Sequence, residues 1–200
     1  MAVSKFHPVE AIKEAMTAGQ TVFGENRPQE FEAKAKALDG EGIEWHFIGH
    51  LQTNKLKMVL PYASMVESVD SLHLLQAIND WGKKEGRTVN VLLELHIAAE
   101  ETKQGFYEEE ILDILFNADS YSNVRFCGLM GMATNTDDED VVCADFGRIK
   151  AFFDYLQDLF PELEDFAQLS IGMSGDWRLA LGFGATIIRI GTSIFGERQY

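Results

Sequence analysis

The closing stretch of the chain reads Leu169-Ser-Ile-Gly-Met-Ser-Gly-Asp-Trp177 and then Ala185-Thr-Ile-Ile-Arg-Ile-Gly-Thr-Ser193. In each, a short apolar run ends at a glycine followed by a hydroxyl residue: Gly172 with Ser174, and Gly191 with Thr192. The pattern predicts, twice, a strand running into a helix N-terminus. Such a turn presents free backbone N–H groups and the positive end of the peptide dipoles, which suits a phosphate. Two of them side by side make a phosphate cup.

Upstream of the cup the same alternation repeats. Strand signals fall at Ala2–Ser4, Thr21–Gly24, Trp45–Ile48, Met65–Ser68, Val89–Ile97, Val124–Met130, Phe166–Ser170 and Thr186–Ile190. Helical spacing follows at Val9–Ala18, Phe31–Leu38, Leu72–Lys84, Glu108–Asn117, Asp145–Leu159 and, more briefly, Trp177–Gly182. Asn54–Leu60 is a helix-like piece cut short by Pro61. Strands alternating with helices predict a parallel sheet. Eight such units closed on themselves predict a (β/α)8 TIM barrel, and 200 residues lie near the lower limit for that fold. No linker, repeat or low-complexity tract interrupts it, so residues 1–200 read as one barrel domain.

Charge and composition bound the partners. Lys+Arg 17 against Asp+Glu 32 gives a net charge of −15. That argues against nucleic acid, whose binding rests on cationic contacts to phosphates, and against an anionic membrane surface. A phosphate held by this chain must be captured by local geometry. Cys127 and Cys143 are too few for a disulfide framework, and Cys127 reads as a small core residue. No apolar run is long enough to span a membrane and no signal peptide opens the chain. The expectation is a cytoplasmic protein. The acidic run Asp137-Asp-Glu-Asp140 reads as a solvated loop entering the sixth helix.

Barrel proteins place their chemistry at the C-terminal ends of the strands, and phosphate most often after strands seven and eight. Those ends carry Lys5, Asn26, His50, Asp70, His96, Met173 with Ser174, and Arg189 with Gly191 and Thr192. Lys5, taken alone, reads as a solvated lysine. At the mouth, facing the cup across the barrel, it reads as an amine able to form a Schiff base. Lysine plus phosphate cup fits a pyridoxal phosphate aldimine, and equally a Schiff-base aldolase acting on a sugar phosphate. Arg189 helps to choose between them. It stands two residues before Gly191, so both point to one side of the strand. A donor-only cation facing a pyridine nitrogen holds that nitrogen unprotonated and weakens the ring as an electron sink. Its alternative role is a salt bridge inside the barrel.

The segments Val3-Ser-Lys5, Phe23-Gly-Glu-Asn26, Trp45-His-Phe-Ile-Gly-His-Leu-Gln-Thr-Asn-Lys55, Ser68-Val-Asp-Ser71, Gly128-Leu-Met-Gly131, Leu169–Trp177 and Arg189-Ile-Gly-Thr192 closely resemble the pyridoxal phosphate homeostasis protein family (YggS/PROSC type). The resemblance runs in order from residue 2 to Tyr200. It implies a single fold type III barrel like the N-terminal domain of alanine racemase. It implies pyridoxal phosphate on Lys5, its phosphate held by Ser174, Gly191 and Thr192, Arg189 near the ring nitrogen and Asn26 close to the ring. His50 and Met173 join the candidate cofactor site. Members of the family bind and buffer the cofactor without an established reaction, so no catalytic or metal-binding residue is assigned.

The chain departs from the family in two places. It starts four residues before Lys5, where members usually carry a helical segment. The expectation is a missing N-terminal segment and an exposed barrel bottom. Glu94-Leu-His96 stands where the family more often has a Gln-Val-Asn-like end, and His96 is expected to alter that wall. Plainer roles stand beside these readings. Ser174 and Thr192 read also as N-caps, Asn26 as a cap for the helix near Pro28, and His46 as a satisfied core histidine. His50 reads equally as mouth or packing. Trp177 reads as helix-to-barrel packing. Glu101-Thr-Lys-Gln-Gly105 resembles a family loop, either closing over the cofactor or facing water.

Three functions compete on these residues. A carrier holds pyridoxal phosphate as a reversible Lys5 aldimine for apo-enzymes. A racemase-like enzyme uses the same aldimine. A Schiff-base aldolase needs no cofactor and is colourless. Racemisation usually needs an acid/base on each face of the substrate, which alanine racemase draws from an additional domain. This chain stops at Tyr200, and that favours the carrier, a monomer by expectation.

Overall fold

The computed structural model describes residues 1–100 and 104–196. Eight strands pair in sequential order, each parallel to the next: β1 (Ala2–Val3), β2 (Val22–Glu25), β3 (Glu44–Phe47), β4 (Met65–Val69), β5 (Val89–Leu95), β6 (Val124–Gly131), β7 (Gln168–Met173) and β8 (Ile187–Arg189). The ring closes through Ile190. Val3 N–H donates to the Ile190 carbonyl at 2.7 Å, and Ile190 N–H donates to the Met1 carbonyl at 3.1 Å. The expected (β/α)8 barrel is therefore the fold, and closure leaves neither end strand as a free edge.

The helices are α1 (Val9–Thr17), α2 (Pro28–Ala37), α3 (Leu56–Val59), α4 (Leu72–Glu85), α5 (Glu108–Phe116), α6 (Glu139–Leu159), α7 (Trp177–Gly182) and α8 (Thr192–Phe195). Two begin before their apolar spacing predicts. Pro28 stands in the first turn of α2, where its fixed φ and missing N–H cost nothing. The Asp138 carboxylate caps α6 by accepting from Asp140 N–H at 3.0 Å. The acidic run is thus partly a first helical turn, where Glu139 and Asp140 face the positive dipole end. Asn54–Leu60 resolves into a 3-10 turn over Thr53–Lys55 followed by α3.

The core has two layers. Between strands and helices lie Phe23, Phe31, Trp45 and Phe47, with Phe31 edge-on to Trp45 and Phe47 at 5.8 and 5.7 Å. A smaller apolar cluster joins Leu92, Cys127 and Met130, with Met65, Met132 and Ile187 packed on it. Cys127 is the small core residue expected, and burial pushes its thiol up to about 11. Met1 belongs to the barrel wall: its ammonium donates to the Ile188 carbonyl at 3.0 Å.

Gly128 is what lets β6 lie against β7. Its φ is +142°, and a Cβ there would stand 1.8 Å from the Gln168 carbonyl oxygen. Gly128→Ala is therefore expected to destabilise the barrel by about 3 kcal/mol or more, combining backbone strain with a steric clash. The measurement is the urea midpoint; an unchanged midpoint would contradict this packing.

Candidate functional site

One cavity of about 540 Å3 opens at the C-terminal ends of the strands. Lys5, Asn26, His50, Met173, Ser174, Arg189, Gly191 and Thr192 all line it. A volume of this size suits a cofactor-sized molecule.

Lys5 reaches the cavity because side chains alternate along a strand. Val3 and Lys5 line the cavity, while Ser4 turns outward and donates to Glu25 Oε1 at 2.7 Å. The turn that carries Lys5 is clamped from behind. Lys34 Nζ donates to the Ser4 carbonyl at 2.8 Å and to Glu25 Oε1 and Glu30 Oε1 at 2.6 Å each. Glu30 Oε1 also accepts from Phe6 N–H at 2.7 Å. Phe6 is the one non-glycine residue with positive φ, +68°, among the described residues. The backbone on both sides of Lys5 is thus held by a buried ion cluster. The sequence reading put Lys5 across the mouth from the cup. The structure puts it beside the cup, because β1 closes onto Ile190.

The cup is one hydrogen-bonded unit. Gly191 N–H donates to Ser174 Oγ at 3.2 Å, joining the two turns. Neither Ser174 nor Thr192 is an N-cap. The cap positions belong to Asp176 and Gly191, and Thr192 is the first residue of α8. Asp176 instead shapes the turn, accepting from Met173 N–H at 2.5 Å. Met173 is left 41% exposed on the rim.

Arg189 lies deeper. Its Nη1 donates to the Ser170 carbonyl and Oγ at 2.7 Å each, and its Nη2 to the Gly131 carbonyl at 2.8 Å. These acceptors are neutral. Among the described residues no carboxylate hydrogen-bonds Arg189 directly; Glu67 is linked to it through Ser170, whose Oγ donates to Glu67 Oε2 at 2.5 Å. Glu67 Oε1 in turn lies 2.6 Å from His46 Nδ1, so His46 is the satisfied interior histidine. Burial alone would raise the Glu67 carboxyl. The hydrogen bond and charge of His46, the charge of Arg189 and the Ser170 hydroxyl together bring it below its ordinary 4.5.

Asn26 does not cap α2: Arg27 holds the cap position without a side-chain bond. The Asn26 Oδ1 is instead buried on the cavity wall with no protein partner. Gly49 permits this placement, since a Cβ there would lie 2.2 Å from the Asn26 carbonyl oxygen. His50 is a mouth residue, exposed, with Nδ1 2.9 Å from Asp70 Oδ2. Trp177 does not line this cavity; its backbone packs close to Gly172.

Two titratable residues of the cavity, His7 and Glu94, are not among those the sequence pattern singles out. His7 lies two residues past Lys5 and stacks on Phe195 at 5.0 Å. Glu94, rather than His96, forms the wall of this cavity at β5, while His96 turns toward Tyr107 at 5.7 Å. The period-two pattern carries the signal: Leu92 is inside the barrel, so Glu94 is too. Burial, then the charge of Asp70, raises the Glu94 carboxyl to about 7 against the pull of Arg189 and His50. Of the Glu101–Gly105 loop, residues 101–103 lie outside the described residues.

A closed barrel with an amine, a buried guanidinium and a double glycine turn at its mouth defines a class: small (β/α)8 barrels that bind an anionic carbonyl compound. Comparison with known proteins narrows the class. Residues 1–199 match the model of the alanine racemase N-terminal domain. A pyridoxal phosphate homeostasis protein from Vibrio alginolyticus is 38% identical over 204 residues, covering all of this chain and 86% of the relative. One from Escherichia coli K12 is 36% identical, again over the whole chain and 86% of its own length. The chain belongs to the pyridoxal phosphate homeostasis protein family, within the alanine racemase N-terminal domain group. PipY of Synechococcus elongatus PCC7942, solved with PLP bound, superposes with a TM-score of 0.89 at 36% identity, covering 98% of this chain and 91% of that one. Alanine racemase of Clostridium difficile 630 shares the fold, with a TM-score of 0.80 at 16% identity over 51% of its length.

The Glu67 network makes a stability prediction. Glu67→Gln leaves Arg189 and His46 facing a neutral amide and is expected to cost about 3 kcal/mol near neutral pH. Because the native carboxyl is depressed, its contribution is present above pH 4.5 and fades as pH falls through the lower folded value. The urea midpoints of the two proteins should therefore draw together as pH is lowered below 4.5; a gap that stays constant with pH would refute the assignment.

Proposed function

We propose that this protein is a cytoplasmic carrier of pyridoxal 5'-phosphate (PLP), a single barrel domain that holds the cofactor reversibly on Lys5 and releases it to apo-enzymes. The observation that carries the reading is the convergence of Lys5, Arg189 and the Ser174–Gly191 turn pair on one cavity. The unpartnered Asn26 Oδ1 on the same wall marks a place where a ligand group completes the hydrogen bonding. Relatives named for PLP homeostasis and the PLP-bound PipY support the same cofactor.

The residues divide the work by chemistry. Bound PLP supplies an aldehyde carbon able to join an amine. Lys5 offers that amine from a turn stiffened by Lys34 and Glu30. Ser174 Oγ and the Gly191 and Thr192 N–H groups take the phosphate, in the manner of backbone nests. Arg189, unable to accept a proton from the ring nitrogen's side, offers only donors there. Its carbonyl partners fix the guanidinium plane in advance of binding. His50, oriented by Asp70, and Met173 form the rim. Among the described residues no helix is long and apolar enough to cross a membrane. The acidic chain exchanges cofactor as a monomer.

The racemase-like reading draws only on fold, since the alanine racemases share 16% identity or less with this chain. It also needs a proton-transfer group on each face of the bound substrate.

The test is spectroscopic. Wild type mixed with PLP is expected to gain a visible absorbance band that Lys5→Ala lacks, and borohydride reduction followed by peptide mapping should place the label on Lys5. A wild type without the band, or a label elsewhere, would refute the Lys5 assignment. Steady racemisation or transamination of a common amino acid at enzyme-like rates would refute the carrier.

A further inference from the structure

Glu94 is the odd member of the cavity wall. It is the last inward-facing residue of β5, two past Leu92 of the interior cluster, and is only 5% exposed. The charged groups facing it come from several elements. Asp70, after β4, is paired with His50, after β3. Arg189 approaches from β8, and Lys5 and His7 from the β1 turn. β6 presents only Met130 and Met132. Behind β5, α4 buries Leu74, Leu75, Ile78, Asn79 and Gly82, while α5 opens with Glu108, Glu109 and Glu110. Glu108 pairs with Arg148 and Glu110 accepts from Tyr107 N–H, so these carboxylates are engaged away from the cavity.

Arg189 does not neutralise Glu94 by contact. Its three hydrogen bonds go to Ser170 and Gly131, and Glu67 already claims its charge from below. An ionised Glu94 would therefore add negative charge to a pocket whose cup is shaped for a phosphate. A protonated Glu94 would add a hydrogen-bond donor instead.

Building on the cofactor reading above, we propose that Glu94 is a proton-holding residue of this cavity, neutral when the anionic cofactor is bound, and that its ionisation loosens the cavity's grip. The carboxyl's raised value of about 7 in the ligand-free protein puts that ionisation within reach of ordinary pH. Binding an anion beside it raises the carboxyl further, so a proton is taken up on binding. By linkage, affinity falls as pH rises through about 7.

The experiment is PLP titration of wild type and Glu94→Gln from about pH 6 to pH 8.5, with binding heats collected in buffers of different ionisation enthalpy. Glutamine keeps the shape of the neutral acid. The two affinities should agree near pH 6. At pH 8.5 wild type should bind roughly 3- to 10-fold more weakly than the variant, and near pH 7 it should take up about a quarter to two-fifths of a proton more. Should the variant not fold, the wild type still decides: proton uptake that peaks near pH 7 supports the proposal, and uptake flat across the range overturns it. Binding by both proteins with parallel pH curves and equal uptake overturns the role of Glu94 alone. No PLP binding by either protein overturns this proposal and the cofactor reading together.

Discussion

Two backbone hydrogen bonds, Val3 N–H to the Ile190 carbonyl and Ile190 N–H to the Met1 carbonyl, join the ends of this chain. Everything at the mouth depends on them. They place the first strand beside the last, so that Lys5 and Gly191 share a wall despite lying at opposite ends of the sequence. A Cβ on Gly191 would come within 3.3 Å of the Val3 carbonyl oxygen, tighter than most real contacts. The glycine whose N–H ties the two turns of the cup together thus also lets the barrel close. Site and fold are one constraint at this seam.

The polar interior obeys a single rule at two depths. Glu67 sits at 0% exposure between His46 and Ser170, and its influence reaches Arg189 through the Ser170 hydroxyl. Lys34 sits at 6% exposure among Ser4, Glu25 and Glu30. Neither cluster is an efficient way to gain stability, since desolvation offsets most of the attraction. What each gains is position. One fixes the guanidinium plane beneath the cavity; the other fixes the backbone on either side of Lys5. The Glu25 cluster is incomplete even so. Its Oε2 is buried without a partner, and burial raises its carboxyl despite the pull of Lys34.

The alternation of strands and helices was legible because each barrel unit is local: an apolar strand, a turn and an amphipathic helix announce themselves in about twenty residues. The cup was legible for the same reason. What escaped was set by contacts between units. The early start of α6 depends on one Asp138 cap bond. The side on which Lys5 emerges depends on ring closure, which no local pattern records. Glu94 and His96 share one face of an ideal strand, but β5 ends at Leu95, so the alternation that carries Glu94 into the cavity no longer governs His96, which turns to Tyr107. The β4 pairing shifts register between Val66 and Val69, so alternation alone does not carry Glu67 and Ser68 to their places either.

A chain of net charge −15 that holds a phosphate must do so against its own field. Lys5 and Arg189 are the cations this cavity offers from its lining, and both have tasks besides neutralising phosphate. Three of the five Arg189 N–H donors are committed to carbonyls and a hydroxyl before any ligand arrives. On the function proposed above, the phosphate would rest mainly on the neutral donors of the cup, Ser174 Oγ and the backbone N–H groups. Such a grip is directional but carries no full counter-charge, and it is sensitive to any further anion nearby. That is the setting in which one interior carboxyl, Glu94, acquires leverage over binding. For the carrier role proposed above, a grip close to balance serves better than a deep electrostatic trap.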